Sequence, residues 1–190
     1  MSGQSDVPVS LLLGLTYVRI LLIPAVMGLI LLGPSRSAAY VAAAVLFALA
    51  ATTDFVDGYL ARRWRLTTTF GSFLDTTADK LLVSGALIAL VEVERASVWI
   101  AMTIIGRELV ILGLRGVVAA EGTVFPPSIW GKLKTNVQFL AILLAILRYD
   151  DPLGPLLLDE WAMLAAAAIT VLSAVEYLAR FSSAFSESSG

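Results

Sequence analysis

The 190-residue chain has no cysteine and no histidine, and only 15% of its residues are charged. Without cysteine it can form no disulfide, supply no thiolate nucleophile and build no thiolate metal site. Without histidine, imidazole ligation is excluded, and a general base near neutral pH has to be a carboxylate, a lysine, a tyrosine or water. A metal in such a chain is a hard ion held by oxygen. Long basic runs are missing too: thirteen Lys and Arg against fifteen Asp and Glu leave a net charge of −2. Nothing here follows a nucleic-acid backbone, and no nucleic acid is expected as a partner. The opening Met1 to Val7 lacks the basic start of a signal peptide, and no small-residue cleavage site follows the first apolar run. That run therefore reads as a retained membrane span.

What the chain has is apolar length: 58% of its residues are hydrophobic and its mean hydropathy is +0.88. Crossing the hydrocarbon takes about 20 helical residues, and six segments qualify, at 9–33, 38–61, 69–91, 97–117, 129–148 and 157–181. The expected fold class is all-α, a polytopic membrane protein with six transmembrane helices. We expect one domain over residues 1–190, with 1–8 and 182–190 as flexible tails. Arg62, Arg63, Arg65, Arg115, Lys132, Lys134 and Arg180 fall on one side of that arrangement and Arg36, Arg95 and Arg148 on the other. The richer side is expected to be cytoplasmic. Glu92, Glu94, Asp150, Asp151, Asp159 and Glu160 then lie on a solvated outer surface. Short connections rich in turn formers, such as Gly33-Pro34-Ser35, imply that consecutive helices pack antiparallel.

Four acids break the apolar pattern. A charge in mid-span costs roughly 2.5 to 3.5 kcal/mol on insertion scales, yet Asp54, Asp57, Asp75 and Asp79 all sit inside predicted spans. Asp54 and Asp57 are three apart and Asp75 and Asp79 four apart, so each pair projects from one helical face. Packed antiparallel, the two pairs would confront each other near the cytoplasmic end. Converging carboxylates repel unless divalent cations sit among them. A Mg²⁺ or Mn²⁺ site is the reading, and Mg²⁺ with open positions for phosphate oxygens points to phosphate chemistry. The bland alternative is that the acids merely pair with Arg62, Arg63 or Lys80. Gly58, Ala61 and Gly71 leave open volume on the same faces, although small residues also serve close helix packing.

From Asp54 to Asp79 the chain reads DFVDGYLARRWRLTTTFGSFLDTTAD, or D-x2-D-G-x2-A-R-x8-G-x3-D-x3-D. This resembles the signature of the CDP-alcohol phosphotransferases at all eight positions. The resemblance implies six transmembrane helices around a cytoplasm-facing cavity, a homodimer and a bacterial cell-membrane location. It implies that Asp54, Asp57 and Asp75 bind divalent metal and the pyrophosphate of a CDP-linked donor, with Asp79 also near the metal and acting as general base. Gly58, Ala61, Arg62 and Gly71 would line the nucleotide pocket. A carboxylate base agrees with the absence of histidine.

The acceptor is read from other residues. Arg107 sits inside the fourth span, Arg115 two turns on, and Lys132 and Lys134 open the fifth. Cations there suit a phosphorylated acceptor, while Lys132 and Lys134 also fit plain positive-inside anchors. Adjacent on a helix, Arg107 and Glu108 are not expected to face each other, so both need other partners. The segments GRELVILGLRGVVAAEG (Gly106–Gly122), WGKLKT (Trp130–Thr135) and LTYVRILLIP (Leu15–Pro24) resemble the family members whose acceptor is glycerol 3-phosphate. SAVEYL, from Ser173, resembles their Ser-Gly-x-Asp-Tyr ending, with Ala174 and Glu176 as departures, and Leu13 stands where they often carry Asn. That similarity implies transfer of a phosphatidyl group from CDP-diacylglycerol to glycerol 3-phosphate, with Arg19, Arg107, Arg115, Lys132 and Lys134 around the acceptor phosphate. Phosphatidylglycerol or an inositol phosphate as acceptor are the rivals within the family. An ion transporter is the rival from another class, since buried acids mark ion pathways; here the acids crowd toward one side.

Overall fold

The computed structural model describes the backbone of residues 6–64, 69–120 and 129–188, and side chains at the ends of these stretches, 54–64 among them, fall outside the described residues. The class is all-α. The helices are α1 (Asp6–Leu32), α2 (Ser37–Trp64), α3 (Thr69–Glu92), α4 (Val98–Ala120), α5 (Ile129–Leu147) and α6 (Leu158–Ser188). Each coincides closely with one apolar run of the sequence. α6 continues through the Ser-rich stretch expected to be a loose tail, which contains no Gly or Pro to stop it before Gly190. The helices fall into two compact units, Met1–Arg95 with α1 to α3 and Ala96–Gly190 with α4 to α6.

In the first unit α1 packs along both α2 and α3, while among the described residues α2 and α3 touch each other only sparingly. The expected meeting of the two acid pairs depends on α2 side chains outside the described residues, and along the described stretch α3 packs mainly on α1. The reason is a run of small residues on α3: Ala78 and Ala86 are buried, and a Cβ at Gly85 would lie 2.9 Å from Met27 Sδ and 3.1 Å from Ile23 Cγ2. α1 therefore approaches α3 closely, with Ile23, Val26 and Ile30 buried along it. Turn and helix end are also built for close contact. A Cβ at Gly33 would sit 2.1 Å from the Tyr40 ring, and the Arg95 guanidinium lies 3.5 Å over that ring's centroid. α3 stops in a Schellman arrangement, with Arg95 N–H donating to Leu90 O and Glu94 N–H to Val91 O. Glu94 occupies the left-handed position there, at φ 58°.

The second unit is arranged similarly, with α6 packed along both α4 and α5. Ile104 and Ile111 of α4, Ile142 and Ile146 of α5, and Met163 and Ala166 of α6 are buried. The α5–α6 connection contains an antiparallel pair, β1 (Pro152–Leu153) and β2 (Leu156–Leu157), which the sequence reading did not foresee. Gly154 at φ 76° makes the two-residue turn. Trp161 Nε1 donates to Leu153 O, and Glu160 reaches back to the Leu157 N–H as half of a capping box. Asp159, expected on a solvated surface, is only 1% exposed and accepts from Arg148 Nε and a terminal nitrogen at 3.1 and 3.0 Å. The left-handed turn at Arg148, φ 36°, swings its side chain back onto the first turn of α6.

Both units expose large apolar side chains, including Leu21, Val41 and Leu49 in one and Trp99, Met102 and Leu172 in the other. Among the described residues one stretch, Leu158–Ser182, is long and apolar enough by length and composition to cross a membrane. Shorter apolar stretches run through Thr16–Leu32, Ser37–Thr53 and Leu133–Leu147.

Candidate active site

α3 carries the described half of the acidic motif. Asp75 and Asp79 are one turn apart and share a face, beside Ala78, which is buried. Their side chains are 35% and 15% exposed, open enough to meet a ligand. Gly71, half-buried, lies one turn before Asp75. Each acid already has a cation. Arg19 of α1, itself 1% exposed, donates from a terminal nitrogen to Asp75 Oδ1 at 2.8 Å. Lys80 Nζ donates to Asp79 Oδ2 at 2.7 Å. Of the cations named as possible partners of the acids, Lys80 is the one found on Asp79. Arg19, assigned from sequence to the acceptor phosphate, lies against Asp75 of the acidic motif.

Asp54, Asp57, Gly58, Ala61 and Arg62 lie on the α2 backbone, but the side chains of that stretch are outside the described residues, as is that of Lys132. Among the described residues no group of three or more potential metal ligands gathers. The donor chemistry nevertheless suits a divalent ion: the motif's ligand candidates are carboxylates, paired three and four residues apart on helical faces, and the chain has neither histidine nor cysteine.

The second unit holds the basic residues. Glu108 of α4 and Lys134 of α5 are each 3% exposed and form an ion pair, Lys134 Nζ donating to Glu108 Oε1. Arg107 places a terminal nitrogen 3.4 Å from that same oxygen. Sequence reasoning had the neighbours Arg107 and Glu108 facing apart. The long guanidinium stem instead curls around the helix, because a buried carboxylate draws every cation within reach. Arg115, exposed, sits 5.8 Å from the Tyr177 ring centroid, and Arg180 pairs with Glu176 one turn back on α6. Of the five acceptor candidates, then, Arg107 and Lys134 come together, Arg115 is held by an aromatic ring, and Arg19 belongs to the other unit.

One polar feature escaped the sequence reading. Gln138, one turn beyond Lys134, donates to Thr170 Oγ1 at 2.7 Å, and both residues are buried. Ser173 donates to Thr170 O at 2.9 Å. The signal was present: Lys134 and Gln138 are four apart in an otherwise apolar helix, so they share a face.

The chain matches the CDP-alcohol phosphatidyltransferase family model over residues 13–172 and is a member of that family. Its relatives include the CDP-diacylglycerol–glycerol-3-phosphate 3-phosphatidyltransferase of Bacillus subtilis, 42% identical over 179 residues, covering 87% of this chain and 92% of the relative. The Haemophilus influenzae protein of that name is 37% identical over 171 residues, covering 86% and 89%. A probable phosphatidylglycerophosphate synthase of Mycobacterium tuberculosis is 41% identical over 167 residues, covering 87% and 78%.

Proposed function

We propose that this chain transfers the phosphatidyl group of CDP-diacylglycerol to the primary hydroxyl of glycerol 3-phosphate, giving phosphatidylglycerophosphate and CMP. The observation that carries this reading is the run of relatives bearing that reaction in their names, at 36 to 42% identity. The acceptor oxygen attacks the donor's β-phosphorus, the bond from that phosphorus to the CMP oxygen breaks, and CMP leaves with the electron pair. In this scheme Asp79 takes the proton of the acceptor hydroxyl, since the chain has no histidine to do so. Asp54, Asp57 and Asp75 would hold Mg²⁺ or Mn²⁺ and, through it, the pyrophosphate. Bound there, the metal would screen charge on the phosphates and the departing CMP. Gly58, Ala61, Arg62 and Gly71 would bound the nucleotide, and Arg107, Lys132, Lys134 and Arg115 the acceptor phosphate. Arg19 then acts on Asp75 rather than on the acceptor.

We extend the proposal to a multi-pass bacterial membrane enzyme with six spans, a cytoplasmic active site and a homodimeric state. Supporting the membrane reading is the apolar window in α6, only 22% buried, where a soluble core helix would be mostly covered. Positive charge at the proposed cytoplasmic ends supports the orientation. The test is release of CMP from vesicles containing the enzyme and CDP-diacylglycerol, with glycerol 3-phosphate, phosphatidylglycerol or inositol phosphate supplied in turn. Release with the first alone is expected; release with either of the others instead reassigns the acceptor.

A further inference from the structure

Glu108 has no part in the reaction just described, yet it is an acid buried almost completely in its unit. Its side chain, 3% exposed, receives Lys134 Nζ, and the same Oε1 faces a terminal nitrogen of Arg107 at 3.4 Å. A carboxylate placed only to neutralise a buried lysine needs one cation. This one gathers two on the same oxygen, and both side chains are largely buried. Arg107 keeps spare donor capacity, for its buried Nε has no hydrogen-bond partner among the described residues. One turn along α5 the buried face continues as Gln138, bonded to Thr170, so polar groups extend beyond the ion pair.

We infer that Glu108 is a positioning residue, which holds the Lys134 ammonium and the Arg107 guanidinium side by side as a ready-made pair of cations for the acceptor's phosphate. This rests on the phosphorylated-acceptor reading above. Lysine and arginine are long and flexible, and fixing them when the ligand arrives would weaken binding. Glu108 fixes them beforehand. It also keeps two like charges close together inside the protein, where they would otherwise repel. The phosphate then meets donors already aimed, with Glu108 behind them and not in contact with substrate.

The experiment uses the full-length enzyme in CDP-diacylglycerol vesicles, comparing wild type with Glu108→Gln, Glu108→Asp and the double variant Glu108→Gln/Lys134→Met. Glu108→Gln is expected to raise KM for glycerol 3-phosphate by about tenfold while kcat and KM for CDP-diacylglycerol stay near wild type, the pattern of lost ground-state binding. Glu108→Asp, which keeps the charge, recovers most of the loss. Inhibition by inorganic phosphate weakens in parallel with the KM. The double variant removes the pair whole, so it folds even if Glu108→Gln alone does not, and its KM for glycerol 3-phosphate stays raised. An unchanged KM for glycerol 3-phosphate with a lowered melting temperature overturns the inference, as does an equal rise in KM for both substrates or a normal KM in the double variant. Wild-type enzyme that releases CMP only with an unphosphorylated acceptor overturns the acceptor reading and the inference together.

Discussion

Arg19 and Asp75 are 56 positions apart in sequence and 2.8 Å apart in space, an ion pair that ties α1 to the acidic motif of α3. It gives the first helix a task the sequence did not disclose: supplying a fixed positive charge to an acid that the proposed mechanism assigns to metal. Arg19 is almost fully buried while Asp75 is about a third exposed, so water screens the pair from one side only. Arg19→Gln should lower the melting temperature of the detergent-solubilised enzyme by an amount corresponding to about 1 to 3 kcal/mol, less than for a fully buried pair. Arg19→Lys should recover part of it. A melting temperature unchanged in Arg19→Gln would show the pair to be idle.

Gly85 sets how closely α1 approaches α3. Its replacement by alanine puts a Cβ 2.9 Å from Met27 Sδ, a clash that a flexible thioether relieves by rotating. Gly85→Ala should cost about 1 kcal/mol and Gly85→Leu about 3 kcal/mol. Met27→Ala combined with Gly85→Ala should be more stable than the sum of the two single losses, because the new methyl enters the space vacated. Melting curves of the four proteins decide this; strict additivity would place the contact elsewhere.

Arg148 holds Asp159 at the start of α6, remote in sequence from the acids of the motif. Arg148→Ala leaves a carboxylate that is 1% exposed without its counterion, and a loss of about 3 to 5 kcal/mol is expected. Asp159→Asn/Arg148→Met should be milder, since no charge is left behind. Turnover per folded molecule should not change in either. A fall in kcat at full folding would assign this pair a role in the reaction.

Metal and base are tested together. Chelation of divalent ions should abolish CMP release, and Mg²⁺ or Mn²⁺ should restore it. Asp79→Asn should lower kcat by roughly 10² to 10⁴ with helical content and melting temperature close to wild type. Activity that survives chelation, or an Asp79→Asn enzyme near wild-type rate, excludes the assigned roles.

The helices were legible because runs of apolar residues near the length of a bilayer leave little choice of structure, and Gly33-Pro34 and Asp151-Pro152 mark where two of them end. The acids were legible for the opposite reason, as charges where none belong. What was not legible is partnership across helices. Periodicity tells that Asp75 and Asp79 share a face, but not that Arg19 will meet one of them, since that depends on α1 lying against α3 through Gly85. Helical-wheel geometry misjudged Arg107 and Glu108 because it follows Cβ directions, and a guanidinium reaches several ångströms past its Cβ. Asp159 read as a surface acid because its burial depends on a left-handed turn at Arg148, and no sequence rule assigns φ > 0 to arginine.

The central claim is a specific chemical transfer, so its most direct test is product identity. The purified enzyme, reconstituted in CDP-diacylglycerol bilayers with Mg²⁺ and isotopically labelled glycerol 3-phosphate, should place the label in a lipid with the mass of phosphatidylglycerophosphate, one molecule for each CMP released, and Asp57→Asn should form neither. Label remaining entirely in the aqueous phase while the enzyme is folded, or CMP appearing without a labelled lipid, would contradict the account.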